Sequence, residues 1–319
     1  MQTAILEAPG RFAIRPMPTP EPGPGEVRIH LEGSGVCASS LPLWQGREWF
    51  AYSQSGGMPG HEGWGSIEAL GDGVTDFRVG QRVTALSHRA FAEYDVAPVD
   101  AVVAIPDELD DAPFPGEPFG CAFNIFSRSD IRPGDTVAII GIGFLGAVLT
   151  RLVSSAGARV IAISRRTFSL QLARRMGALE RVSFKSGERE QVVKRVLDLT
   201  DGLGCERVIE CVGAQETLDL AGEIAAERGR VIIAGLHQDG ARHVDMRLWN
   251  RRGLDIINAH ECDGAARAQG IRAAANAFAA GVLDPSWLVT HRFSLGDLDA
   301  AFRITAERPD GFIKAVVLT

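Results

Sequence analysis

Glycines 141, 143 and 146 follow directly on residues 137–140, an apolar run (VAII) short enough to be one buried strand. Residues 144–156 are then helix formers, with Leu145, Val148, Leu149 and Leu152 at helical spacing; Gly157 is a natural C-cap and residues 159–163 read as a second strand. No other stretch restricts the fold so tightly. Strand, turn, helix and strand in this order form a βαβ unit, and in the pattern GxGxxG each glycine acts differently. Gly141 permits the reversal, Gly143 removes a side chain where a pyrophosphate must approach the backbone, and Gly146 lets the helix lie close on its strand. The turn residues Gly141, Gly143, Phe144, Leu145 and Gly146 are therefore expected to bind a dinucleotide, its phosphates resting on free N–H groups at the helix N-terminus.

The end of the second strand selects the dinucleotide. An acidic residue there would hold the adenosine ribose 2′-hydroxyl of NAD, but this chain has Ser164, Arg165 and Arg166. Two guanidinium groups suit a 2′-phosphate dianion, which arginine grips bidentately, so NADP(H) is the expected cofactor.

With 319 residues, 45% hydrophobic and 23% charged, the chain can bury a core large enough for two domains. A formal net charge of −7 argues against a nucleic-acid or anionic-membrane partner, which would demand a basic face. The five cysteines are scattered, the opening MQTAILEAP has neither a basic nor a long apolar segment, and no apolar run approaches the roughly 20 residues that span a bilayer. A reduced cytoplasm is the expected location, with the cysteines as free thiols or metal ligands.

The fold class read from the pattern is α/β. Residues 1–122 are β-leaning, with short apolar alternations such as 27–31 broken by Pro18, Pro20, Pro22, Pro24 and many glycines. Residues 123–262 alternate strands and helices: helices over 171–176, 188–197 and 216–226, and strands near Val182 and over 207–211, 230–234 and 254–257, about six strands in all for a doubly wound parallel sheet. Residues 263–319 carry an Ala-rich helix (265–280), a short amphipathic helix (298–304) and a last strand (313–318), a tail too small to stand alone and expected to rejoin the first domain.

Three places in the first domain make little sense as packing alone: Cys37 in GVCASSLPLW, His61 and Glu62 in MPGHEGWG, and Glu117 with Cys121 in GEPFGCAF. A thiolate, an imidazole and a carboxylate are a zinc ligand set that leaves one position open, although Cys37 as a small buried residue, His61 as a turn histidine and Glu117 as a helix N-terminal carboxylate would satisfy the same pattern.

Taken together, GVCASS, PGHEGWGSIEALGDGVTDFRVGQRV, EPFGCAF and IGIGFLG resemble the medium-chain dehydrogenase/reductase family, the zinc alcohol and polyol dehydrogenases, in order and approximate spacing over nearly the whole chain. The resemblance implies a GroES-like β-rich catalytic domain from both chain ends (1–122 and 263–319), a Rossmann NADP-binding domain between (123–262), and hydride exchange between a small-molecule alcohol or carbonyl and NADP(H). By position, Cys37, His61 and Glu117 would hold one catalytic Zn2+, Glu62 would be an outer or exchanging ligand, Cys121 a reserve ligand, and Ser39 the hydroxyl that contacts the substrate alcohol. The family's habit of joining its last Rossmann strands implies a homodimer or homotetramer through residues 254–259.

The chain departs from the family pattern in three places. There is no four-cysteine lobe between Val83 and Val102, so no structural zinc is expected; Ser40 stands where many members have Asp; and Pro42 stands where classical members have a relay histidine. Two other readings keep the fold, a zinc-free NADPH quinone or enone reductase and a non-catalytic NADPH-binding protein. The loop 44–52, with Trp49 and Phe50, either lines a substrate pocket or packs domains together.

Overall fold

The computed structural model describes residues 1–109 and 112–319 and divides into two compact units, 1–120 with 262–319, and 121–261. No helix among the described residues is long and apolar enough to cross a membrane.

The second unit is a six-stranded parallel sheet whose strands lie in the order Glu180–Ser183, Arg159–Ser164, Thr136–Ile140, Cys205–Glu210, Ala225–Ile233 and Asp255–Asn258. The first and fourth strands in sequence are neighbours, so the chain reverses its direction of travel between them. That switch point leaves a crevice at their carboxyl ends, where such sheets take their ligands. Ala138, Ile140, Ile161, Ile163, Val208 and Val231 form its core with the helix residues Val192, Val196 and Leu220. Strands covered on both faces read as continuous apolar runs, which is why 137–140 is so plain in the sequence.

The first unit is built on a sheet ordered His291–Ser294, Ala315–Leu318, Glu26–Gly35, Gly63–Leu70, Arg82–Ala85 and Val102–Ala104, with Tyr94–Pro98 also pairing along Glu26–Gly35. Alternation puts Val27, Ile29 and Leu31 inward, against Ile67, Val83, Ala97 and Val102. The tail rejoins this unit across a long sequence separation: Val316 pairs with Gly35 and Leu318 with Gly33, antiparallel.

Several element ends differ from expectation. The helix expected over 216–226 is Gln215–Ile224, and the strand expected over 230–234 begins at once, as Ala225–Ile233. Ala225, Ala226 and Glu227 are helix formers, but Ala225 is drawn into the ladder opposite Cys205 and Arg228 turns at φ 57°, so sheet pairing overrides propensity. The helix expected over 171–176 starts four residues sooner, as Thr167–Arg175, directly after Arg166. One helix that the periodicity does not announce, Met246–Arg252, has ordinary end signals: Asp245 accepts from Leu248 N, and Gly253 closes it at φ 58°.

Candidate metal centre and dinucleotide turn

In the first unit, the strand Glu26–Gly35 delivers the chain into Cys37, and the loop before the adjacent strand Gly63–Leu70 delivers His61 and Glu62. Strand pairing therefore brings together residues far apart in sequence: Cys37, His61 and Glu62 each present a ligand atom, all within 4.8 Å of one another. His61 Nδ1 donates to the Pro59 carbonyl at 2.9 Å, which fixes the ring and leaves Nε2 for Cys37 or an ion. This carbonyl gives the ring its outer support. Ser39 Oγ donates to Cys37 Sγ at 3.1 Å.

Burial opposes a charge on His61, yet the hydrogen bond and charge of Cys37, with the charges of Glu62 and Glu117, outweigh it and push the imidazole up to about 10. A thiol and an imidazole this close to a buried carboxylate suit a cation, a proton in the metal-free protein or a divalent ion in its place. Glu62 is fully buried, and its Oε2 makes no well-directed hydrogen bond even though Lys314 Nζ lies 2.5 Å away in an ion pair. A buried oxygen with spare lone pairs, a thiol and an oriented imidazole are the donors zinc takes in catalytic sites. The residues present fit the ion.

Three further residues, which the sequence reading does not single out, shape this site. Lys314 donates to Glu62 Oε1 at 2.6 Å from 252 positions away. Burial alone would lower the lysine, but Glu62, Cys37 and Glu117 leave it raised. Gly35 makes the space: a Cβ there would sit 1.8 Å from Glu62 Oε2. Thr84, fully buried, donates to the Gly63 carbonyl at 2.8 Å and accepts from Gly116 N at 3.2 Å, so the peptides beside Glu62 and Glu117 hang on one hydroxyl.

Glu117 lies outside the group of three. Its Oε1 accepts from Arg267 Nη2 at 3.0 Å, although its charge still acts on His61. Cys121 is half-buried and begins the second unit. Trp49 is 58% exposed, with Phe50 at 6.0 Å between ring centroids, so its ring is no core packing of its own unit.

In the second unit, the three turn glycines have three different surroundings. Gly141 is at φ +94° with the Val212 methyl group 2.4 Å from where a Cβ would be; Gly143 has open space; at Gly146 a Cβ would lie 2.0 Å from the Gly141 carbonyl oxygen. The helix Phe144–Ser155 starts at the open position, with Phe144 and Leu145 in its first turn. Glu210, buried at the end of the fourth strand, accepts from Val212 N and Gly213 N at 2.8 and 2.9 Å and from Thr217 Oγ1 at 2.8 Å, fixing the loop that borders the turn. At the end of the second strand Ser164 is buried, Arg165 exposed, and Arg166 precedes the helix Thr167–Arg175 with its N 3.5 Å from Ser164 Oγ.

Residues 23–107 match the family model of the alcohol dehydrogenase GroES-like domain, and residues 133–276 that of the zinc-binding dehydrogenases. An alcohol dehydrogenase of Cupriavidus necator is 27% identical over 99% of this chain and 98% of its own, and a sorbitol dehydrogenase of Halalkalibacterium halodurans 25% identical over 92% of each. A Sinorhizobium meliloti protein assigned as a zinc-binding dehydrogenase and bound to NADP shares the structure at a TM-score of 0.85, with 27% identity over 100% of this chain and 99% of that one.

Proposed function

The chain belongs to the zinc-containing medium-chain dehydrogenase/reductase family, an alcohol-type dehydrogenase acting on CH–OH groups, and on that premise we propose that it exchanges hydride between a secondary alcohol, polyol or sugar-like substrate and NADP(H). The observation that carries the reading is the convergence of Cys37, His61 and Glu62 within 4.8 Å around a buried, incompletely bonded carboxylate.

Cys37 and His61 would hold the zinc, with the acidic share coming from Glu62 or Glu117. When bound, the ion supplies Lewis-acid stabilisation of the substrate oxygen, and the nicotinamide supplies the redox chemistry. The chain's own residues do the rest. Pro59 holds the His61 ring by its Nδ1–H, and Lys314 pairs with the Glu62 carboxylate and holds it in place. Ser39, whose Oγ lies 3.1 Å from Cys37 Sγ, is the hydroxyl beside the ligand set and accepts a hydrogen bond from the substrate alcohol. Gly143 leaves room for the pyrophosphate, and Arg165 and Arg166 take the 2′-phosphate; the NADP carried by the Sinorhizobium meliloti relative agrees with that choice.

A homodimer accords with the strand Asp255–Asn258, which closes the sheet order with a partner on one side only among the described residues.

His61→Ala tests the reading. Zinc content and NADP-dependent alcohol oxidation should fall together across a panel of secondary alcohols, polyols and sugar alcohols. Full activity in that variant would remove the zinc mechanism.

A further inference from the structure

We propose that Arg242 is a positioning residue of the dinucleotide site: through His237 and the buried Glu210 it rivets the loop 234–243 to the loop 211–213, and so holds the surface on which the nicotinamide half of the cofactor rests. The inference rests on the NADP(H) reading and deepens it.

The place follows from the sheet order. The glycine turn ends the first strand of the second unit, and Ser164, Arg165 and Arg166 end the second, so pyrophosphate and adenosine belong over these two. The other half of a dinucleotide crosses the switch point, to the carboxyl ends of the fourth strand, Cys205–Glu210, and the fifth, Ala225–Ile233. The loops leaving these two ends touch backbone to backbone. Gly235 N donates to the Glu210 carbonyl at 2.7 Å; a Cβ at Gly235 would lie 2.4 Å from Gly213 N, and one at Gly213 would lie 2.4 Å from the Leu236 carbonyl oxygen. Each loop presents one exposed apolar side chain, Val212 at 38% and Leu236 at 54%, and Val212 adjoins Gly141 of the turn. An apolar face continuous with the pyrophosphate turn suits a nicotinamide ring.

Side chains fix the two loops to each other. Arg242 donates from Nη2 to the Gly213 carbonyl at 3.0 Å and from Nε to His237 Nδ1 at 3.0 Å. Its Nη1 is turned to the Asp239 carbonyl at 3.3 Å, which folds the tip of the loop onto itself. A guanidinium has no acceptor, so His237 Nδ1 carries the lone pair and Nε2 the hydrogen. That Nε2 is buried and lies 3.2 Å from Glu210 Oε2, a close though poorly directed approach to the carboxylate whose other oxygen accepts from Val212 N and Thr217 Oγ1. Guanidinium, imidazole and carboxylate thus form one linkage from loop to loop. Without Arg242 the loop is free to leave Gly213, and a loop in place for about a tenth of the time lowers the affinity of whatever rests on it about tenfold.

The test uses the full-length protein and two probes titrated by calorimetry: NADPH, and 2′-phospho-ADP-ribose, the same molecule without its nicotinamide. The fluorescence of bound NADPH reports the surroundings of the ring. In Arg242→Met, NADPH should bind on the order of tenfold more weakly and its emission should move toward that of the free cofactor, while 2′-phospho-ADP-ribose keeps its wild-type affinity and shows the variant to be folded. His237→Phe, which keeps the bulk, should do the same. The double variant should be no worse than either single one, because both break one linkage. Equal losses for the two probes would make Arg242 a support of the fold alone, and unchanged NADPH binding and emission would put the nicotinamide elsewhere; either result overturns the proposal. Wild-type protein that binds neither probe would instead overturn the NADP(H) reading itself.

Discussion

Lys314 Nζ lies 2.6 Å from Glu62 Oε1, and both side chains are sealed from water. Taking two charges into a low-dielectric interior gains little by itself, whereas removing one partner strands the other. Lys314→Met should therefore destabilise the metal-free protein by about 3–5 kcal/mol. The loss should be distinctly smaller with zinc bound, because the ion then compensates Glu62. Denaturant unfolding with chelator and with zinc makes the comparison, and equal losses in both states would mean that Glu62 does not face the ion.

Thr84 joins the two carboxylate-bearing segments through one hydroxyl, accepting from Gly116 N and donating to the Gly63 carbonyl. Thr84→Val preserves the shape but leaves a buried N–H without an acceptor, a cost of about 1–3 kcal/mol. Zinc affinity should fall with stability, since the loop of His61 and Glu62 loses its tie to the turn of Glu117, and Thr84→Ser should restore both. Zinc binding that is untouched in the valine variant would show the tie to be dispensable.

What is legible in the sequence is what local backbone chemistry dictates. The glycine turn can be read because its spacing sits between an apolar strand and a helical run, and Cys37 and His61 can be read because they stand in stretches rich in small residues where packing residues belong. The partners that tune these groups cannot. Arg267 is 150 positions from Glu117 and Lys314 is 252 from Glu62, separations at which no periodicity connects two residues. One trace is present: Lys314 interrupts the apolar run FIKAVVL, and a lysine entering a buried strand requires a buried anion. The expectation that Glu117 itself sits among the ligands comes from residue type and from resemblance, and neither announces its ion pair with Arg267. The displaced boundary at Ala225 has the opposite cause, a local propensity for helix defeated by the pairing of Ala225 with Cys205.

The turn glycines separate folding from binding. At Gly146 a methyl group would enter to 2.0 Å of the Gly141 carbonyl oxygen, so Gly146→Ala must push the helix off its strand and should lower the melting temperature sharply. At Gly143 nothing lies within 4 Å, so Gly143→Ala should melt near wild type while nucleotide binding falls, because the methyl occupies the space reserved for the pyrophosphate. Calorimetry and NADPH titration on the two variants suffice. Normal nucleotide affinity in Gly143→Ala would place the phosphates elsewhere.

Arg165 and Arg166 follow the second strand, and no carboxylate stands at its end to hold a ribose hydroxyl: the last strand residue, Ser164, is buried and its Oγ lies 3.5 Å from Arg166 N. Hydrogen bonds to a charged group contribute about 1.5–3 kcal/mol each, so replacing both arginines by alanine should weaken NADPH by about 3 kcal/mol, roughly a hundredfold in affinity. NADH offers no 2′-phosphate to these side chains and should lose little. The wild-type preference for NADPH should also shrink as salt is added, because Arg165 is exposed and its attraction to the phosphate is screened over about 10 Å at 0.1 M ionic strength. Equal losses for the two cofactors would mean that the arginines support the strand end rather than read the phosphate, and a salt-independent preference would move the discrimination to a buried contact.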